Sequence, residues 1–118
     1  MIRKSIVLLT LLLVGFAAKA EEPVEELGPD KWPTTVEATV DDLIERMPDS
    51  SKEKLEAMDE EGLALAHFGI GLHIRNYYGL WRGNDKLLRD ACGGEACHPD
   101  DASGHIVKAL WSKLRESG

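Results

Sequence analysis

Apolar and polar residues along this chain alternate with a helical rhythm. From Pro33 onward Val36, Val40, Leu43, Ile44 and Met47 recur three or four apart, opposite Glu37, Asp41, Asp42 and Glu45. That spacing predicts a helix with one apolar face, ended by Pro48. Thr34 with Glu37 has the form of a capping box at its start, and Ser50 with Glu53 repeats the form before a short helix through Leu55 and Met58. A third helix is expected from Glu60 to Tyr77, since the acids Asp59-Glu60-Glu61 suit the positive end of a helix. Within it Leu63, His67, Ile70 and Ile74 line one side and Leu65, Phe68 and Leu72 another. A helix apolar on nearly all sides is usually buried, so this one is expected to be the centre of the fold. Gly69 and Gly71 inside it cost together about 2 kcal/mol relative to alanine, which close approach of a neighbour or a bound group would offset.

Tyr78-Gly79 ends that segment, Leu80-Trp81 is expected to pack back on it, and Asn84 suits the cap of a short helix containing Leu87 and Leu88. His98-Pro99-Asp100-Asp101 opens a last helix, because proline fits the first turn and aspartates its dipole. Its apolar face is Ala102, Ile106, Ala109, Leu110 and Leu114, with Trp111 beside it. No strand-like alternation and no repeat is visible. The expected fold is all-α, a bundle of four or five short helices around a buried central one.

The pattern changes character at the N-terminus. Arg3 and Lys4 precede an apolar run from Ile6 to Ala17, followed by Ala18-Lys19-Ala20. This is the layout of a secretory signal peptide, residues 1–20, cut before Glu21. The run is short for a membrane span, and no cysteine stands at the cut to carry a lipid. Residues 21–32, acidic and containing two prolines, are expected to be a flexible or loosely docked leader, and residues 33–118 the helical domain. The expected location is the periplasm or the exterior.

Cleavage would leave 98 of the 118 residues, enough for one domain. All 21 acidic residues lie after the cut and three of the 14 basic ones before it, so the exported chain has a charge near −10. Phosphate backbones and anionic lipid surfaces repel such a chain, which argues against nucleic acid and membrane partners. A basic protein surface remains compatible. The two cysteines, Cys92 and Cys97, fall in the exported part, where oxidation is normal, and the glycines between them allow a local disulfide. Cys92-Gly-Gly-Glu-Ala-Cys97-His98 also has the order of a covalent haem site. Four residues rather than two separate its cysteines, so haem stays a remote alternative and no cofactor is expected.

The central segment carries His67, His73, Arg75 and Asn76. Arg75 shares an angular sector with Phe68, Gly71 and Leu72, and a desolvated guanidinium needs a carboxylate or carbonyl partner, for which Asp100 or Asp101 is best placed. Asn76 is expected to cap its own helix or bond the turn at Gly79. His67 and His73 fall on different faces, and His98 and His105 lie about 10 Å apart along a helix, so no metal site is expected. The candidate surface for another envelope protein or a small ligand joins His67, Arg75, Asn76, Trp81, Asn84 and Asp101, with Trp81 as its apolar anchor. The rival expectation is a hydrolase in which His67 or His98 acts as acid and base with Asp101 orienting it.

The fragments His67-Phe68-Gly69, Ile74-Arg75-Asn76, Leu80-Trp81, Asn84, Leu87 and Pro99-Asp100-Asp101-Ala102-Ser103, opened by Trp32-Pro33-Thr34, resemble a small bacterial family of uncharacterised domains. The resemblance runs from about Trp32 to Leu114. It implies no activity, cofactor or catalytic residue, and the cysteine loop looks like a local addition to the pattern.

Overall fold

The apolar stripe that starts at Val36 becomes α1, Val36–Arg46, in a computed structural model that describes residues 26–117. The expected signal peptide and its cleavage site lie outside the described residues, as does the start of the acidic leader. Thr35 rather than Thr34 caps α1, its side chain accepting from the Ala38 N–H at 3.1 Å. Asp90 adds a long-range cap, its carboxylate accepting from the Val36 N–H at 2.7 Å. Helix α2, Asp49–Ala57, follows without a side-chain cap, so the Ser50 box does not form. The helix begins two residues too early for it, with Pro48 rather than Ser50 at the cap position.

The expected long central helix is broken. Helix α3 covers Glu60–Leu65, capped by Asp59, a 3-10 turn covers Ala66–Phe68, and α4 covers Ile70–Tyr77. At the break Gly69 has φ −106° and ψ −94°, outside the helical region. Helix α5, Asp85–Ala91, is capped by Asn84 as expected, and α6, Pro99–Ser117, is the longest element. The described residues are thus all-α, with six helices and no strand.

The centre also shifts. Leu65 and Phe68 are 73% and 76% exposed and Leu72 is exposed, so one side of the expected hub faces solvent. The hub is α6, which touches all five other helices and the 3-10 turn. Its Ala102, Ile106, Val107 and Leu110 are buried against Val40, Leu43, Leu55, Ile74, Leu80 and Leu87. Trp111 and Arg115 extend this role, both donating to the Met58 carbonyl and so pinning the α2–α3 corner to α6. Cys92 and Cys97 form a disulfide that closes the loop between α5 and α6.

The described part of the acidic leader is irregular but fastened. The Leu27 N–H donates to the Tyr77 carbonyl, and Trp32 Nε1 donates to the Leu27 carbonyl at 2.9 Å. The indole lies on Gly79, whose φ of +74° and missing Cβ are both required there.

Candidate functional site

The nominated residues divide into an interior knot and an outer remainder. Arg75 on α4 is 5% exposed, and each of its three nitrogens is engaged. Nη1 donates to Ser103 Oγ at 2.8 Å and lies 3.3 Å from His67 Nδ1, while Nη2 donates to the His67 carbonyl at 3.1 Å. Nε stands 3.4 Å from Asp100 Oδ1. Asp100, not Asp101, is therefore the acid beside Arg75. Ser103 closes the knot by donating to the Asp100 carbonyl at 3.0 Å. Gly71 makes the arrangement fit, since a Cβ there would stand 3.2 Å from both Arg75 Nη1 and the Ala66 carbonyl. The neighbour that Gly71 admits is thus a side chain of its own helix, whereas nothing lies within 4 Å of a Cβ placed on Gly69. The knot joins α4, the 3-10 turn and the first turn of α6, and fixes how α3 leaves the core.

Asn84 is also spent internally. Its Nδ2 donates to the Pro33 and Tyr78 carbonyls at 3.0 and 2.8 Å, tying the leader, the α4 end and α5 together. That is the work expected of Asn76, whose side chain is exposed and whose carbonyl takes Arg82 instead. Trp81 does not pack back on α4 as Leu80 does. It is 53% exposed and meets His98 edge-on at 5.3 Å. Asp101 is exposed, and among the described residues no hydrogen bond or ion pair joins it to a histidine. The acid near His98 is Asp100, 3.7 Å away, yet His98 Nδ1 already accepts from the Asp100 N–H at 3.0 Å. His67 turns its Nδ1 edge to a cation. Both cysteine sulfurs are joined to each other, which leaves neither for a haem thioether.

A second polar cluster was only half legible in the sequence, since Asp42 and Arg46 are four apart on α1 but Tyr78 lies 36 residues from Asp42. Tyr78, fully buried, donates to Asp42 at 2.7 Å, and Arg46 donates to the same carboxylate at 2.8 Å. Burial first, then the bond to Asp42, raises the Tyr78 phenol far above the ordinary range. His73 stacks on Tyr77 at 5.0 Å, and burial, with Arg46 in support, lowers its pKa from 6.5. Folded His73 binds its proton less readily than in the unfolded chain. Its contribution to stability is therefore complete above about pH 6.5 and declines as pH falls towards the folded value. The His73→Gln variant is expected to lose less melting temperature than wild type between pH 7 and pH 5, measured by circular dichroism; parallel losses would refute the assignment.

A mainly apolar opening lies elsewhere. Met47, Leu55, Met58, Leu65, Ala66 and Ile70 line a groove of about 420 Å³, with Lys54 and Ser51 at its edge. Phe68 stands exposed beside Gly69, which also lines it. Helical periodicity marks these residues as apolar but cannot distinguish a face turned inward from one turned out.

A sequence model of one protein family matches residues 32–114, more than half of the chain. The chain belongs to the family described as a domain of unknown function, DUF6794. No curated protein and no solved structure matches the chain. The DUF6794 segment takes in every helix described above apart from the last residues of α6, and it includes the Arg75 knot, the groove and the Trp32 anchor.

Proposed function

We propose that the protein is an exported helical binding domain that engages a partner in the cell envelope through the apolar corner around Leu65. The observation that carries this is the exposure of Leu65, 73%, in the lining of an apolar groove, with Phe68, 76% exposed, next in the chain to Gly69 of the same lining. Large apolar side chains left in water beside an apolar groove mark candidate interaction sites. The interior placement of Arg75 and Asn84 supports a binding rather than a catalytic role. Arg75 holds the 3-10 turn against α4 and α6, Asn84 ties the leader to α4 and α5, and both spend their polar groups on the protein itself. Export is supported by the signal-like first 20 residues and by the disulfide.

Mass spectrometry of the protein from its host tests the export half. The expected species begins at Glu21 and weighs two hydrogens less than the dithiol. A chain retaining Met1, or one with free thiols, would refute it. Photo-crosslinking tests the binding half, with a photoreactive residue in place of Leu65 in one variant and of Trp81 in another. The expected result is a discrete adduct from position 65 that excess wild-type protein suppresses and excess Leu65→Asp protein does not. Adducts only from position 81 would move the contact surface to the Trp81–His98 pair.

A further inference from the structure

We propose that His98 is a proton-operated switch at the start of α6. Neutral, its imidazole caps the helix. Protonated, it releases that bond and turns to the Asp100 carboxylate, which it then shares with Arg75.

The first turn of a helix leaves N–H groups without partners inside it, and a side chain just before the helix commonly accepts one of them. At α6 that side chain is His98. Its Nδ1 accepts from the Asp100 N–H at 3.0 Å, while its carbonyl takes the Asp101 and Ala102 N–H groups at 2.9 and 3.0 Å. A backbone amide can only donate, so Nδ1 carries the lone pair and Nε2 the proton of the neutral ring. Serine, threonine and asparagine caps keep their acceptor at any ordinary pH. Histidine is the side chain that gains charge between about pH 8 and pH 5, and its imidazolium has two donors and no acceptor.

A receiver for the new donor is within reach. Asp100 Oδ2 is 3.7 Å from Nδ1, and among the described residues no other carboxylate comes within 4.0 Å of a His98 nitrogen. The other oxygen of the same group, Oδ1, faces Arg75 Nε at 3.4 Å. One carboxylate thus stands between a buried guanidinium and an imidazole whose side chain is 57% exposed. Protonation removes a cap and adds an ion pair, so the contacts exchange with little change in overall stability. The other charged or titratable groups on the segments around His98 are Glu95 in the cysteine loop, Arg82 beside Trp81, and Asp101 and His105 on α6. Arg82 is engaged by the Asn76 and Leu27 carbonyls, and Glu95, Asp101 and His105 are exposed.

Two neighbours hold the ring and register its charge. Cys97, the preceding residue, is tied to Cys92 at the end of α5, so residue 98 starts from an anchored point. Trp81 meets the imidazole edge-on at 5.3 Å, whereas Trp32 and Trp111 have arginines against them. An imidazolium in contact with an indole quenches its emission, so Trp81 reports the proton on His98.

The test follows the oxidised protein by nuclear magnetic resonance and tryptophan emission at pH 8 and pH 5. At pH 8 the His98 ring is expected in the Nε2–H tautomer. On acidification the Asp100 amide proton should move upfield in the wild type, as its bond to Nδ1 is lost. It should hold its place in His98→Asn, whose side chain caps at both pH values. Emission should fall in the wild type and not in His98→Asn or Trp81→Phe. The melting temperature of the wild type relative to His98→Asn, a comparison that cancels the His73 contribution, should change by less than about 2 °C between the two pH values. In an Asp100→Ala background, where no carboxylate receives the imidazolium, the same comparison should change by about 5 °C, the amount a cap contributes in a domain of this size. An Nδ1–H tautomer at pH 8, an Asp100 amide proton that stays put in the wild type, or an emission loss that survives in Trp81→Phe would each overturn the proposal. So would an equal thermal change with and without Asp100, since the carboxylate would then have no part in the exchange.

Discussion

Arg75→Ala is expected to lower the stability of the domain by about 3 kcal/mol, a drop in melting temperature of about 15 °C for a chain of this size. The guanidinium is the only cation in the knot, and without it the His67 carbonyl and Ser103 Oγ lose their donor in a buried place. Hydrogen bonds to a charged group contribute roughly 1.5–3 kcal/mol each, although they do not add fully. Arg75→Lys should lose about 2 kcal/mol, because one ammonium cannot reach the carbonyl, the hydroxyl and the carboxylate together. Asp100→Asn should lose only about 0.5 kcal/mol, since the Asp100 side chain is 45% exposed and solvent already screens it. Thermal melts followed by circular dichroism give all three values. Near-equal losses for Arg75→Ala and Asp100→Asn would show that an ion pair, rather than the neutral acceptors, holds the corner.

The second large effect is expected at Gly79. A Cβ there would fall within the indole of Trp32, and φ is +74°. Gly79→Ala therefore combines backbone strain of about 1–2 kcal/mol with displacement of the indole, for a total of about 4 kcal/mol. Gly83→Ala separates the two effects. Its φ is +104° but no atom lies within 4 Å of the added carbon, so it reports strain alone. In a Trp32→Ala background the Gly79→Ala penalty should shrink to the Gly83→Ala value. If Gly79→Ala already matches Gly83→Ala in the wild-type background, Trp32 is not seated where the structure has it.

Much of the fold could be read from local signals. The α1 stripe, the Asn84 cap, the Pro99-Asp100-Asp101 start of α6 and the cysteine loop each depend on residues close in sequence, and each forms. What failed depends on tertiary contact. The apolar positions from Leu63 to Ile74 fit one long buried helix equally well, and only the break at Gly69 turns Leu65 and Phe68 outward. Arg75 was legible as a desolvated cation in need of a partner on α6. The choice of Asp100 over Asp101 was not, because adjacent helical residues point about 100° apart and the helix rotation is set by core packing. Asn84 is legible from local sequence as a cap, and it caps α5. Its Nδ2 contacts to Pro33 and Tyr78, which place it inside, reach across segments that no local pattern joins.

Helix α6 has a consequence for how the chain is made. The element against which all the others dock comes after every one of them, so each earlier helix emerges from the ribosome before its main apolar partner exists. Isolated helices of 6 to 11 residues, the lengths of α1 to α5, are marginal in water. The nascent polypeptide therefore stays loose until Pro99–Ser117 appears, which is the state that the export proposed above would require.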